Sequence, residues 1–414
     1  MSLGYRKCPP AAQTVNPEFD VLILGAGLVG SSLACALDGT GLRVGVVEAT
    51  LPTLAPPGFD ERKLALAAAS INALTRLGVI AEMSEPTSPI ERIHVSRVGD
   101  FGSVRLDPSD SGRSNYGAVV PARVLGEALE RRLRTLSNMQ WLRPQTVTAI
   151  ACSADGVRVG LSAGESRREV RTRLLVAADG TRSFARQALG IECDGHDYQQ
   201  TLLVCSLGFD RAANGTAYER FSNEGPVALL PMGRNYGAIC AVPGAQADAI
   251  SALDDVAYAR YFQDRFGWRA GRVLHAGRRV AYPVASMVAR AVVAQRSVLV
   301  GNAAQTIHPI GAQGFNLGLR DALTLAELIG NNSDDPGSAG LLDAYVVARS
   351  EDRQQTLAFS DGLARVTSNA SLPMHVLRSL GLLALGNLPS VTNPLASAAM
   401  GFRGAVPRLA RALR

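Results

Sequence analysis

The chain has 414 residues, 47% of them hydrophobic and 19% charged, which is enough apolar material for a large core split over two or three domains and excludes a disordered chain. Its net charge of +6 comes from basic residues spread along the sequence without interleaved aromatics, an arrangement that argues against nucleic acid. The six cysteines lie far apart with no Cys-x-x-Cys, so neither a zinc site nor a disulfide framework is indicated, and they read as reduced thiols in a cytosolic compartment.

Residues 1–18 are polar and lack the apolar core of a secretory signal, so they read as a flexible arm. No window reaches the roughly 18 to 20 uninterrupted apolar residues of a membrane span; the nearest, 372–388, is broken by Pro373, His375, Arg378 and Ser379. The folded chain starts at Phe19. Residues 21–24 form a continuous apolar run, as in a strand buried on both faces of a parallel sheet. Gly25, Gly27 and Gly30 complete Gly-x-Gly-x-x-Gly ahead of a helix over about 28–37, and a second strand, 43–47, ends in Glu48. The first glycine makes the turn, the second lets backbone approach a pyrophosphate, and the third lets helix and strand pack closely. A glycine triplet alone is weak; strand, glycines, helix, strand and terminal acid together are specific. Glu48, placed to accept hydrogen bonds from a ribose, implies an adenosine with a free 2′-hydroxyl, as in FAD or NAD.

Next, Leu64, Leu66, Ala67, Ile71, Leu74 and Leu77 read as one helical stripe stopped by Gly78, with Arg62 and Lys63 before it either reaching cofactor phosphates or facing solvent. Short alternating segments fill 90–120, and a helix begins at Ala122 with Arg123 in its first turn, an unfavourable place for a cation unless an anion sits nearby. A further buried strand, 174–178, ends in Asp179-Gly180, where the acid either hydrogen-bonds a ligand in the crevice or caps the following helix. Residues 196–290 read as a mainly antiparallel sheet with a helical passage at 257–266, a lid over a pocket. The strand 297–300, an irregular run from Gly301 and a helix over 316–327 return the chain to the nucleotide fold. The loop in front of that helix offers unpaired N–H groups to a phosphate or to a carbonyl that gathers negative charge. A long helix follows, then short helices punctuated by Pro and Gly with little charge until Arg403, Arg408, Arg411 and Arg414.

Three stretches taken together resemble the group A flavoprotein monooxygenases. The glycine unit with Glu48 is similar to their ADP-binding fingerprint, Asp179-Gly180 with Ser183 and Arg186 to their Asp-Gly motif, and 301–318 to the loop that holds the ribityl chain and the isoalloxazine ring. Where that family usually has Gly-Asp-Ala, this chain has Gly301-Asn302-Ala303, and Asn302 still offers a hydrogen bond to a ribityl hydroxyl. The run GNAAQTIHPIGAQGFNLGLRDA is close to the ubiquinone-biosynthesis hydroxylases, within them to the 2-polyprenyl-6-methoxyphenol hydroxylase type, and FDERKLALAAAS agrees. The resemblance covers 19–353. It implies an α/β fold with a Rossmann-like FAD-binding domain (19–89, 121–195 and 291–353), a mainly antiparallel β-sheet substrate domain (90–120 and 196–290), and a helical C-terminal segment (354–414).

It also implies FAD held by Gly25, Ala26, Gly27, Gly30, Glu48, Ala49, Arg62, Arg123, Asp179, Gly180, Asn302, Pro309, Gly311, Ala312, Gln313, Gly314, Phe315 and Asn316. The implied reaction inserts one oxygen atom from O2 into a polyprenylated phenol, with NAD(P)H or a protein as electron donor. A flavin C4a-hydroperoxide survives only where water is excluded. Pro309, Gly311 and Gly314 would shape the reacting end and stabilise charge, and His308 either assists deprotonation of the phenol or serves packing. Other readings are a small-aromatic hydroxylase, a halogenase, for which the Trp-x-Trp-x-Ile-Pro signature is missing, a prenyl reductase, or a non-catalytic nucleotide-binding subunit. No metal is expected. Partners expected are a ubiquinone-biosynthesis complex and, through the sparsely charged C-terminus, peripheral contact with a membrane.

Overall fold

Phe19–Leu24 is fully buried along its length because alternate side chains enter two different cores. Val21 and Ile23 join the core under the helices Leu28–Ala36, Ala122–Leu133 and Gln313–Asn331, whereas Leu22 and Leu24 join the core on the opposite face. Each such side chain contributes roughly 1.5–3 kcal/mol on burial. Val44–Val47 and Ser166–Ala177 flank this strand in parallel, Met139–Leu142 and Ser297–Leu299 extend the parallel sheet outward, and Val293–Ala294 closes one edge antiparallel. The computed structural model describes residues 17–51, 62–100, 102–107, 114–331, 334–368, 400–402 and 404–412.

A nine-stranded sheet forms the second layer, running Gln305–Thr306, Val280–Ala289, Cys193–Phe209, Asn235–Pro243, Val227–Met232, Thr216–Phe221, Arg92–Arg97, Ser103–Leu106, with Val273–Ala276 on the long Cys193–Phe209 strand. Its pairs are antiparallel except that Thr216–Phe221 runs parallel to Arg92–Arg97. One face packs Leu203, Leu207, Ala238 and Cys240 against Tyr258, Phe262 and Phe266 of the helix Asp255–Phe266. Asp254 caps that helix by accepting from Ala257 N at 2.8 Å, and Gly267, at φ 81°, ends it. The other face carries Ile93, Val95, Ala217, Leu202, Val204, Leu230, Ile239 and Val284.

The helix expected from Leu64 onward starts later. Lys63–Ala67 is a strand, paired antiparallel with Gly117–Pro121 in a small three-stranded sheet, and only Ala68–Arg76 is helical. Leu64 and Leu66 satisfy both a period of two and a helical period, and pairing opposite Val120 and Ala118 decides between them. Lys63 is buried rather than turned to solvent: a Cβ on Gly237 would lie 2.5 Å from its Cγ, so its stem packs on the nine-stranded sheet. The helix expected from 316 begins at Gln313.

The expectations for residues 1–16 and 369–399 lie outside the described residues. The described end, 404–412, is pinned to the Ala68–Arg76 helix: Arg76 Nη1 donates to the carbonyls of Arg408, Leu409 and Arg411 at 3.0, 2.8 and 2.8 Å. Among the described residues no helix is long and apolar enough to cross a membrane. The five described cysteines are free thiols.

Candidate functional site

The three motif stretches meet at the carboxyl ends of three neighbouring parallel strands, the edge at which open α/β sheets bind ligands. Gly25 lies at φ +97°, and a Cβ there would sit 2.6 Å from the Ala178 carbonyl oxygen. Gly30 is tighter still, its Cβ 2.1 Å from the Gly25 oxygen. Glycine at these two positions lets the first helix and the Asp179 turn share one space. Gly318 completes the junction: a Cβ there would lie 2.9 Å from Gly301 Cα and 2.8 Å from a Val29 methyl. Arg186 ties the second motif to the third by donating to the carbonyls of Ala303 and Thr181, both at 3.0 Å. Its helix is capped by Ser183, whose Oγ accepts from Arg186 N at 2.9 Å.

Around this junction the residues leave room where a ligand is expected. A Cβ on Gly27, Gly180 or Gly314 would meet nothing within 4 Å. No side chain caps the Leu28–Ala36 helix and its first turn holds no acid, so its leading N–H groups are left for an anion. Glu48 accepts from Ala26 N at 2.9 Å and from the backbone and hydroxyl of Thr50 at 3.1 and 3.0 Å, which fixes its carboxylate across the glycine turn; Ala49 beside it is exposed. Asp179 caps the helix that follows and keeps one oxygen unpaired. One oxygen caps the next helix through Ala185 N at 3.0 Å, and the other is buried with no partner in the protein. A buried carboxylate oxygen without a donor is costly unless a ligand supplies one. These features fit a dinucleotide.

The 301–316 loop is held from behind. Asp321 accepts from Gly301 N at 3.3 Å, Gln305 Nε2 at 2.7 Å and Arg349 Nε at 2.8 Å. Asp352 binds Arg320 and Arg349, each at 2.7 Å, and Gln305 passes the chain on to Arg353 at 2.8 Å. Burial drives the Asp352 carboxyl upward, but Arg320 and Arg349 outweigh it and hold the group below the usual carboxylate range. Nothing in the local sequence pairs 320–321 with 349–353.

Within the loop, Gly311 and Ala312 both take positive φ, 71° and 52°, and at Ala312 this costs about 1–2 kcal/mol. Gln313 is buried and donates to Gly311 O at 3.2 Å, Phe315 packs on the helical core, and Pro309 and Asn302 are exposed. Asn316 differs from its expected role. Its oxygen accepts from Ala67 N and Ser70 Oγ at 2.9 and 2.7 Å and its nitrogen donates to the carbonyls of Ala65 and Ala312 at 2.9 and 2.8 Å, so its side chain staples the loop to the Lys63–Ala67 strand.

His308 is fixed within the loop. It is buried, its Nδ1 accepts from Ile310 N at 3.2 Å, and its ring meets Tyr198 edge-on at 4.6 Å. Burial pushes its pKa down to about 4, so it is neutral at physiological pH. Arg123 has found its anions within the protein, in Glu85 at 2.9 Å and Glu127 at 3.1 Å, and Arg62 is exposed at the start of its strand.

The sequence reading missed Glu219, on the Thr216–Phe221 strand. Burial raises its pKa to about 7 against the downward pull of the Gly311 N–H beside it, although part of the residue stays exposed. No local pattern marks it: the strand reads TAYERF, and only the sheet pairing reveals which way each side chain points.

Comparison with known proteins agrees with this geometry. A model of the FAD binding domain family matches residues 18–360. The ubiquinone hydroxylase UbiL of Rhodospirillum rubrum is 34% identical over 98% of this chain and 95% of its own length. The 3-demethoxyubiquinol 3-hydroxylase of Escherichia coli is 28% identical over 89% of this chain and 95% of its own. Among solved structures, p-nitrophenol 4-monooxygenase PnpA of Pseudomonas putida superposes with a TM-score of 0.76 over 94% of this chain and 98% of its own at 19% identity, a likeness of fold.

Proposed function

The chain belongs to the FAD binding domain family, among its flavin-dependent monooxygenases, and from that premise we propose that it hydroxylates a polyprenylated phenol in ubiquinone biosynthesis. The observation that carries this reading is the end-to-end similarity to a ubiquinone hydroxylase, together with three motif loops that meet at one sheet edge. Bound FAD, reduced by NAD(P)H or by a protein donor, supplies the activation of O2.

The chain's own residues do the rest. The open N-terminus of the Leu28–Ala36 helix and the space beside Gly27 receive the pyrophosphate. Glu48 orients the adenosine ribose, the partnerless oxygen of Asp179 accepts a hydroxyl, and exposed Asn302 reaches the ribityl chain. The turn at Gly311 and Ala312 and the open side of Gly314 stand against the ring, where backbone N–H groups stabilise developing negative charge. The aliphatic face of the nine-stranded sheet excludes water and takes the substrate's apolar body.

A polyprenyl tail resides in a membrane, and the sparsely charged 372–402 segment followed by Arg403, Arg408, Arg411 and Arg414 supports peripheral contact there. Flotation with liposomes that is unchanged in a chain ending at residue 370 would sink that part. The reading as a whole is tested by deleting the gene in its host and weighing the accumulated lipid by mass spectrometry. A polyprenylated phenol lacking one hydroxyl is expected; a normal quinone profile overturns the assignment.

A further inference from the structure

Across the face of the nine-stranded sheet that carries the aliphatic residues, one row of neighbours runs Val95, Glu219, Ala228, Ile239, Val204, each opposite the next in the strand pairing. Four are aliphatic and one is an acid. Glu219 shares its face with Ala217, which lies in an apolar cluster with Leu230 and Tyr116. Its strand neighbours Tyr218 and Arg220 point to the other face, as does His94 against Tyr218, and His308 in the facing loop is turned onto Tyr198. The Gly311 N–H, in the loop assigned to the flavin ring, lies beside its carboxyl. An acid in such a wall is expensive unless function keeps it.

Resting on the hydroxylase reading, we propose that Glu219 is the catalytic base that takes the proton from the ring hydroxyl of the phenol. With the Gly311 N–H beside it, the partly exposed Glu219 carboxylate accepts the phenol O–H. The O–H bond of the substrate breaks, the proton forms an O–H bond on Glu219, and the electron pair left on the phenolic oxygen makes the ortho or para ring carbon nucleophilic. That carbon takes one oxygen atom of the O2 that reduced FAD would activate, as the O–O bond breaks. As the ring regains aromaticity its C–H proton passes to the second oxygen atom, which leaves as water, and Glu219 returns the first proton to the phenolic oxygen. Because burial sets its pKa near neutrality, at about 7, Glu219 can both accept and return that proton under working conditions. The Val95, Ala228 and Ile239 side chains beside it make its immediate surroundings apolar.

The test compares the full-length FAD-loaded wild type with Glu219→Gln and Glu219→Asp, using 2-prenylphenol as probe. Infrared difference spectra should show a carboxyl band that titrates near neutral pH in the wild type and is missing in Glu219→Gln. Glu219→Gln should still hold FAD and still perturb the flavin absorbance when the probe binds, while product formation falls about 100-fold or more, the usual scale for a lost acid–base group. The rise of activity through neutral pH should vanish with it, and Glu219→Asp should restore part of both. Hydroxylation by Glu219→Gln within about threefold of wild type with an unchanged pH profile, or a wild-type spectrum without the titrating band, overturns the role of Glu219. A wild type that binds the probe but hydroxylates no prenylated phenol sinks the hydroxylase reading instead.

Discussion

Glu48 and Glu219 are the same residue in opposite settings. Glu48 accepts three hydrogen bonds, from Ala26 N and from the backbone and hydroxyl of Thr50, and sits over a turn made of glycines. Glu219 has the Gly311 N–H beside it and stands among Val95, Ala228 and Ile239. The nucleotide end is therefore built from backbone, with side chains trimmed away so that a ligand can come close. The end proposed to react is built from side chains on a sheet, where a single polar group sits among apolar neighbours. Backbone sites bind what every member of a cofactor class shares; side-chain sites select the reaction.

Five substitutions separate the two ends. The largest effect is expected at Asp352, which anchors the 301–316 loop through Arg320 and Arg349: Asp352→Asn leaves buried guanidinium charge uncompensated and should cost about 3–5 kcal/mol by urea unfolding. A loss under about 1 kcal/mol would mean that the loop is not held by these ions. At the backbone-built end, Gly30→Ala puts a Cβ 2.1 Å from the Gly25 oxygen and should cost about 3 kcal/mol, whereas Gly27→Ala, pointing into open space, should leave melting unchanged yet weaken FAD binding about tenfold. Equal effects on melting would erase the distinction.

Glu219→Gln should stabilise the FAD-free protein at and above neutral pH. Its folded pKa, raised to about 7, means that the unfolded chain holds fewer protons through the window from about 4.5 to 7, so native stability falls as pH rises across it. Glutamine removes that loss, on the order of 2–3 kcal/mol at about pH 8 and none below about pH 4. Matching stability curves for the two proteins would show Glu219 to be solvated. The smallest effect is expected at His308, whose pKa is lowered to about 4 by burial. Stability should then fall as pH drops from about 6.5 toward 4, and His308→Gln should flatten that limb by about 1–2 kcal/mol at about pH 5.

The nucleotide end was legible because its parts lie within one short unit: Gly25, Gly27, Gly30 and Glu48 act through turns and spacing that any window of the sequence contains. Asp179 was legible for the same reason, as a strand-end acid. The reacting end was not. Glu219 meets Val95 only through a parallel strand pairing and Gly311 only through the approach of two layers, contacts that no periodicity encodes. Arg123 asked for an anion, and Glu85, from a distant stretch, supplied it. Leu64 and Leu66 were misread as helix because an apolar alternation that short fits both periods until Val120 and Ala118 are known to lie opposite.

The most direct measurement is the mass of the product made by purified FAD-loaded protein under isotopically labelled dioxygen, with a reductant and a prenylated phenol supplied. One labelled oxygen atom in the ring of the product is expected, with formation tracking flavin content. Product carrying oxygen from water, or flavin reoxidised to hydrogen peroxide with the phenol untouched, would contradict the assignment.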